Sequence, residues 1–177
     1  MHFVLLTWNP GGGDDHAWDP DTWSDEMVAP TLAGKTVTTS WSVGRHINNI
    51  EPGDVAFMYR QGEFGRGIVA RGIIRSYPLE DVRWDDDTKP CNYVDIEWQE
   101  CLPLDLRADV EQLEELAPEF PWRQVYASGR QLRPRAGKKV QDAWQRYVRS
   151  DSVRSATKLF TSEAWRDYLN SEEVAFA

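Results

Sequence analysis

From residue 2 to residue 101 the chain is a succession of short β-forming runs, each stopped by a turn of Pro, Gly, Asn or Asp, and this punctuation favours a small β-rich architecture. His2 to Trp8 is an apolar run halted by Asn9-Pro10-Gly11-Gly12-Gly13. Lys35 to Trp41 is rich in Val and Thr, and Glu51-Pro52-Gly53-Asp54 is a tight turn feeding Val55 to Arg60. Arg66 to Tyr77 follows, with Gly67 and Gly72 where a strand would bulge to bend around a barrel. In Asn92 to Cys101, Tyr93, Asp95, Glu97 and Gln99 alternate with Val94, Ile96 and Trp98, the period of a half-buried strand. Five or six strands closing into a small barrel are predicted.

Helices are predicted around it. Asp19 to Ala29 carries early acids and then Trp23, Met27 and Val28 at helical spacing. Asp109 to Leu116 reads as a short helix and Trp122 to Tyr126 as an extended piece. Lys138 to Val148 places Val140, Trp144 and Val148 on one face. Ser155 to Asn170 gives one or two more short helices, capped by Thr161 or Ser162, with Trp165 and Leu169 on the buried side. The class is α+β, without repeats or a low-complexity linker.

The residue inventory argues against catalysis. Of the three histidines, His2, His16 and His46, none has a His or Cys neighbour at metal-ligand spacing. No nucleophile elbow or phosphate-binding loop motif occurs. Gly62-Glu63-Phe64-Gly65-Arg66-Gly67 joins two strands and reads as a hairpin turn, Gly11 to His16 as a surface turn, and Asp85-Asp86-Asp87 as a solvated loop. Cys91 and Cys101 read as buried thiols. No apolar run approaches the roughly 20 residues that span a bilayer, and the start lacks the basic region of a secretory signal, so a cytoplasmic protein without membrane or cofactor is expected.

Aromatic residues at strand ends are the stronger theme. Nine tryptophans are more than a core of this size requires. Trp8 ends the first strand, Trp41 ends the second between Ser40 and Ser42, and Trp84 lies in the acidic stretch Val82 to Asp87. Large rings in polar contexts are poor core residues and good platforms for a nucleic-acid base. The net charge of −9 opposes non-specific attachment to a polyanion, yet its distribution is uneven. Between Arg130 and Arg154, the bases Arg130, Arg133, Arg135, Lys138, Lys139, Arg146, Arg149 and Arg154 face only Asp142 and Asp151. Local field rather than total charge docks a polyanion.

Several segments, in order, resemble the EVE domain: Phe3 to Pro10, Ser40-Trp41-Ser42-Val43-Gly44, Ile50 to Phe57, Arg66 to Gly72, Tyr77-Pro78, Trp84 to Asp87, Asn92 to Ile96, and Ser128-Gly129. The likeness spans about residues 2 to 147 and is greatest to the N-terminal EVE domains of HNH-type, modification-dependent (type IV) restriction endonucleases. It implies a PUA-like small β-barrel over 1–149; residues 150–177, outside the likeness, are expected to form a helical tail packing on it. It also implies a module that flips a modified base of DNA, 5-methyl- or 5-hydroxymethylcytosine, into an aromatic pocket, in restriction and phage defence. On that resemblance Trp41 and Trp84 are pocket walls, and Trp8, Thr7, Asn9, Ser40 and Ser42 surround the base edge. Ser128, Gly129 and Arg130 would grip a phosphate, and Arg133, Arg135, Lys138 and Lys139 would extend the contact to the backbone. A nuclease domain or subunit is the implied partner. Three alternatives are an RNA modified-base reader of YTH or PUA type, a nucleoside-processing enzyme of ASCH type, and a scaffold whose tail, bearing Trp165, Tyr168 and Phe176, binds protein.

Overall fold

The computed structural model describes residues 1–10, 18–62, 65–83 and 86–160. Its frame is one mixed sheet of eight strands in which the hydrogen-bonded order is β2-β6-β4-β3-β1-β8. These are β1 (Phe3–Trp8), β2 (Val37–Gly44), β3 (Val55–Arg60), β4 (Gly67–Ile74), β6 (Asp86–Cys101) and β8 (Arg130–Leu132). Two more strands lie off this path: β5 (Leu79–Arg83) pairs with β6, and β7 (Ala108–Asp109) with β4. Only β1 and β3 run parallel, in register from Phe3↔Val55 to Trp8↔Arg60.

Eight strands stand where five or six were expected, and among the described residues β2 and β8 are unpaired ends, between which no hydrogen-bonded closure is seen. The count differs because β5 lies in a polar, fully exposed stretch with no buried face to impose alternation. β7 and β8 hold two and three residues, too short for a period to be read. The ends approach at Gly129, whose amide donates to the Leu5 carbonyl at 2.8 Å while a Cβ there would lie 3.1 Å from the His46 Cβ. The bend expected at Gly72 appears as a register shift between Arg71 and Gly72 against β6.

Alternation along each strand divides the apolar residues between two cores. Val4, Leu6 and Trp8 join Ala56, Met58, Val94, Ile96 and Trp98 on one face. That face is covered by a continuous helical segment: α1 (Pro20–Thr22), a π-helical turn over Trp23–Val28, and α2 (Ala29–Leu32). Asp19 caps it by accepting from the Thr22 amide at 2.8 Å. The wider π turn lets Trp23, Met27 and Val28 all reach the core.

On the other face Phe3, Leu5, Phe57, Tyr59 and Ile68 pack under α3 (Val110–Leu116) and α4 (Pro134–Val148). The latter begins four residues before the expected start, with Pro134 in its first turn, a position that needs no amide donor. Gly137 lets α4 lie directly on the Phe3 side chain, where a Cβ would overlap the ring. Trp122–Gln124 is a 3-10 turn rather than an extended piece, because the Trp122 indole donates back to the Ala117 carbonyl at 3.0 Å. Residues 151–160 are helical, with Val153 in the second core and Phe160 packed on the first.

Both cysteines are buried and free, as the sequence implies. Burial pushes the Cys101 thiol up to about 12, opposed by the Thr31 hydroxyl, and pushes the Tyr59 phenol up to about 12. Both groups stay neutral in the folded chain after their unfolded counterparts, near 9.0 and 10.0, have ionised. The unfolded state therefore holds fewer protons in this window, and stability falls as pH rises from about 9 to about 12. Urea midpoints at pH 8 and pH 11 check this; equal midpoints would show that neither group is held neutral.

Candidate nucleic-acid interface

Strand β2 carries the central residue. It pairs antiparallel with β6 in the register Ser40↔Asp95, Trp41↔Val94 and Ser42↔Tyr93. The period of two turns Thr39, Trp41 and Val43 to the first core, where the Trp98 indole donates to the Thr39 hydroxyl at 2.8 Å. Trp41 is half-buried at the margin of this core. Its ring is stacked on Trp18, with centroids 4.8 Å apart and planes 9° from parallel.

Trp18 is fixed in turn. Its ring meets Trp8 edge-on at 5.6 Å and Trp23 at 5.3 Å, and Trp8 lies 4.8 Å from Trp23. Trp23 is anchored by an indole hydrogen bond of 3.0 Å to the Leu102 carbonyl. Four tryptophans thus run from the core to the surface, with Trp41 outermost. Trp8 is 4% exposed, and its indole N–H has no acceptor among the described residues. Trp18 and Trp23 were not expected here. They lie more than a dozen residues from Trp41 in sequence, and only the packing of the helical segment brings them to it.

The polar residues expected around the base edge are divided between the faces. Ser40 is exposed and points away from Trp41, as alternation requires. The Ser42 hydroxyl, on the same side as Ser40, accepts from the Gly44 amide at 3.1 Å and lies 2.9 Å from the Cys91 sulfur. Thr7 is half-buried on the side of Phe3 and Leu5, and its amide donates to the Ser128 hydroxyl at 3.2 Å. Asn9 is exposed just beyond β1. Trp84 lies outside the described residues. Of the expected pocket residues, the structure therefore brings Trp8 and Trp41 into one cluster.

On the Ser42 side opens a cleft of about 540 Å³ between the end of β2, the start of β6 and residues 126–128. Arg45, His46, Arg83, Lys89 and Tyr126 line it together with Ser42 and Ser128. Its β2 wall is held by the Asn92 side chain, which donates to the Gly44 carbonyl at 2.9 Å. Tyr126 is 70% exposed, and the Arg66 guanidinium sits over its ring at 5.5 Å. The cleft thus draws several cations from a chain of net charge −9. Its cations escaped the sequence reading because they come from separate segments, each acidic or neutral in composition.

The basic run that drew attention in the sequence is dispersed. Arg130 donates to the Gln124 carbonyl at 3.0 Å, and its guanidinium lies 5.1 Å from the centre of the Phe120 ring. Arg133 and Arg135 are exposed at the start of α4. Lys138 is ion-paired with Asp142 at 2.6 Å, and Lys139 donates to the Leu116 carbonyl at 3.3 Å. The helix that carries them packs through Ala136, Val140 and Trp144 on the core opposite that of Trp41. The amide of Gly129 is bonded to Leu5 and the hydroxyl of Ser128 accepts from Thr7, so both hold the frame.

Among the described residues no cluster of His, Cys, Asp or Glu could hold a metal ion, and no helix is long and apolar enough to cross a membrane. What the site offers is a flat ring face and a cationic cleft beside it, which are means of binding.

The same fold occurs in solved structures of other proteins. Solved structures that share it include a hypothetical protein from Leishmania major, 12% identical, with a TM-score of 0.57 over 84% of this chain and 98% of the other. They also include the human THYN1 protein in complex with 5-methylcytosine-containing DNA, 14% identical, with a TM-score of 0.54 over 81% and 97%. A third, from Pseudomonas putida, is 17% identical, with a TM-score of 0.50 over 80% and 97%. No protein-family model and no curated protein sequence matches the chain. At these identities the likeness is one of fold.

Proposed function

We propose that the protein is a binding module that reads a modified base in DNA, 5-methyl- or 5-hydroxymethylcytosine, by turning it out of the helix onto the Trp41 ring. The observation that carries this reading is the half-buried Trp41 face, braced from behind by Trp18 and opening beside a cleft lined by cations. That the human THYN1 protein, of the same fold, was solved with DNA containing 5-methylcytosine supports it.

Energetics decide which face of Trp41 the base uses. A base between Trp41 and Trp18 needs the rings about 7 Å apart, and they stand at 4.8 Å. Driving Trp18, 7% exposed, out of its cluster would uncover roughly 150–250 Å² of apolar surface, a cost of about 4–6 kcal/mol. Stacking one base returns only about 1–3 kcal/mol. Trp18 therefore stays and the base takes the other face of Trp41. Trp84 is assigned as the opposing wall, and Asn9, just beyond β1, to the pocket margin. Ser128, Gly129 and Arg130 are assigned to the phosphate of the turned-out nucleotide, and Arg133, Arg135, Lys138 and Lys139 to more distant phosphates. A nuclease domain or subunit that cuts modified foreign DNA is the partner such a reader would serve.

The test is a titration of one duplex sequence, plain or carrying a single 5-methyl- or 5-hydroxymethylcytosine, with an RNA of the same sequence and modification alongside. Burying one methyl contributes about 0.8 kcal/mol, so the modified duplex should bind about four times more tightly than the plain one. Equal affinity for all duplexes, or tighter binding to RNA, would overturn the reading.

A further inference from the structure

We infer that the cleft between β2, β6 and Tyr126 is a second nucleotide site, which takes the nucleotide next to the turned-out base and stacks that neighbouring base on Tyr126. The inference rests on the reading of Trp41 given above and extends it from one nucleotide to two.

Topology supplies the first support. Trp41 and Ser42 are consecutive on β2, with Cα atoms about 3.8 Å apart, and they face opposite sides of the sheet. Strand β2 ends the hydrogen-bonded order, so nothing pairs beyond it. A nucleic-acid strand with one base on the Trp41 side has its next nucleotide within reach of the Ser42 side, where the cleft opens.

The chemistry of the cleft fits that nucleotide. Arg45 carries fixed positive charge and His46 adds a ring donor, beside the hydroxyls of Ser42 and Ser128. These groups suit phosphate oxygens. Tyr126 suits a base. It is among the most exposed large side chains of the described residues, at 70%, and the Arg66 guanidinium 5.5 Å from its centre braces one face. No other aromatic ring stacks on it among the described residues, so its second face is open. A braced, exposed ring within a cationic cleft is the arrangement that binds unpaired bases irrespective of sequence. A volume of about 540 Å³ lies within the range that encloses small ligands.

The expected ligand is therefore DNA in which the nucleotide beside the modified one is also unpaired. The full chain is titrated with a short single-stranded oligonucleotide bearing one 5-methylcytosine, with the nucleotide on its 5′ or its 3′ side intact or abasic. For the wild type, an abasic residue on one side should weaken binding about tenfold, and on the other side far less. In Tyr126→Ala the intact oligonucleotide should already bind about tenfold more weakly, and the abasic change should add nothing. Arg45→Ala should lower the slope of log affinity against log salt by about 0.7. The melting temperature of each variant shows that it is folded, as expected for exposed positions.

Equal abasic penalties in wild type and Tyr126→Ala, or no penalty on either side, would overturn the second site. If preference for 5-methylcytosine persisted in that case and vanished in Trp41→Ala, the reading of Trp41 would stand alone. Absence of binding to every oligonucleotide would overturn both.

Discussion

Trp41→Ala is expected to abolish the preference for the modified base and to weaken binding to the modified duplex by roughly 5- to 150-fold, the equivalent of about 1–3 kcal/mol of lost stacking. The size follows from geometry: Trp41 is the outermost of four packed tryptophans and the one whose ring is half-buried rather than enclosed. Removing it uncovers Trp18, 4.8 Å behind, and leaves a hollow where the flat wall stood. Trp41→Phe keeps a ring and should keep part of the affinity, which separates loss of stacking from general damage to the cluster. Because a stacking contact releases no counterions, the salt slope should be the same in Trp41→Ala as in the wild type. Oligonucleotide titrations at two salt concentrations, with the melting temperature measured alongside, make the test. Unchanged preference in a folded Trp41→Ala protein would remove Trp41 from the site.

The second large effect concerns stability. Gly129→Ala should lower the melting temperature by about 6–12 °C, the equivalent of about 3 kcal/mol in a chain of this length. Gly129 has φ +87°, the left-handed region, where a side chain costs about 1–2 kcal/mol. A Cβ there would also overlap the Val43 carbonyl oxygen and stand 3.0 Å from its carbon, which adds a packing cost of about 1–3 kcal/mol. The residue sits where β1, through its bond to Leu5, approaches the end of β2. Displacing it loosens both unpaired ends of the sheet. A melting temperature within a degree of wild type would show that this junction yields freely.

Much of the frame was legible. Val55 to Arg60 was read with the bounds the structure gives, and β1 differs by one residue. Val94, Ile96 and Trp98 alternate with Asp95 and Glu97 as the pattern required. The helix through Trp23 and Met27 was visible from its spacing, while the π turn within it was not, since period alone does not separate such turns. Less of the site could be read. Ser40 and Ser42 flank Trp41 in sequence, and the same period of two that revealed β2 turns them away from the ring. The basic run from Arg130 to Lys139 looked like one patch, yet Lys138 is held by Asp142 and Arg130 lies over Phe120.

The division has a physical basis. Where strands and helices fall depends on which side of a short segment is apolar, and on the turn residues that stop it, so the sequence alone determined the order of the main elements. Which residues meet depends on pairings between distant segments. Trp18 comes to Trp41 only because the helical segment covers the first core, and Arg45, Lys89 and Tyr126 share a cleft only because β2, β6 and the stretch after Trp122 converge. Such contacts join residues whose separation in the chain leaves no local periodic trace. The tertiary structure alone therefore decided that four tryptophans form a wall and that the cations beside it come from an otherwise acidic stretch.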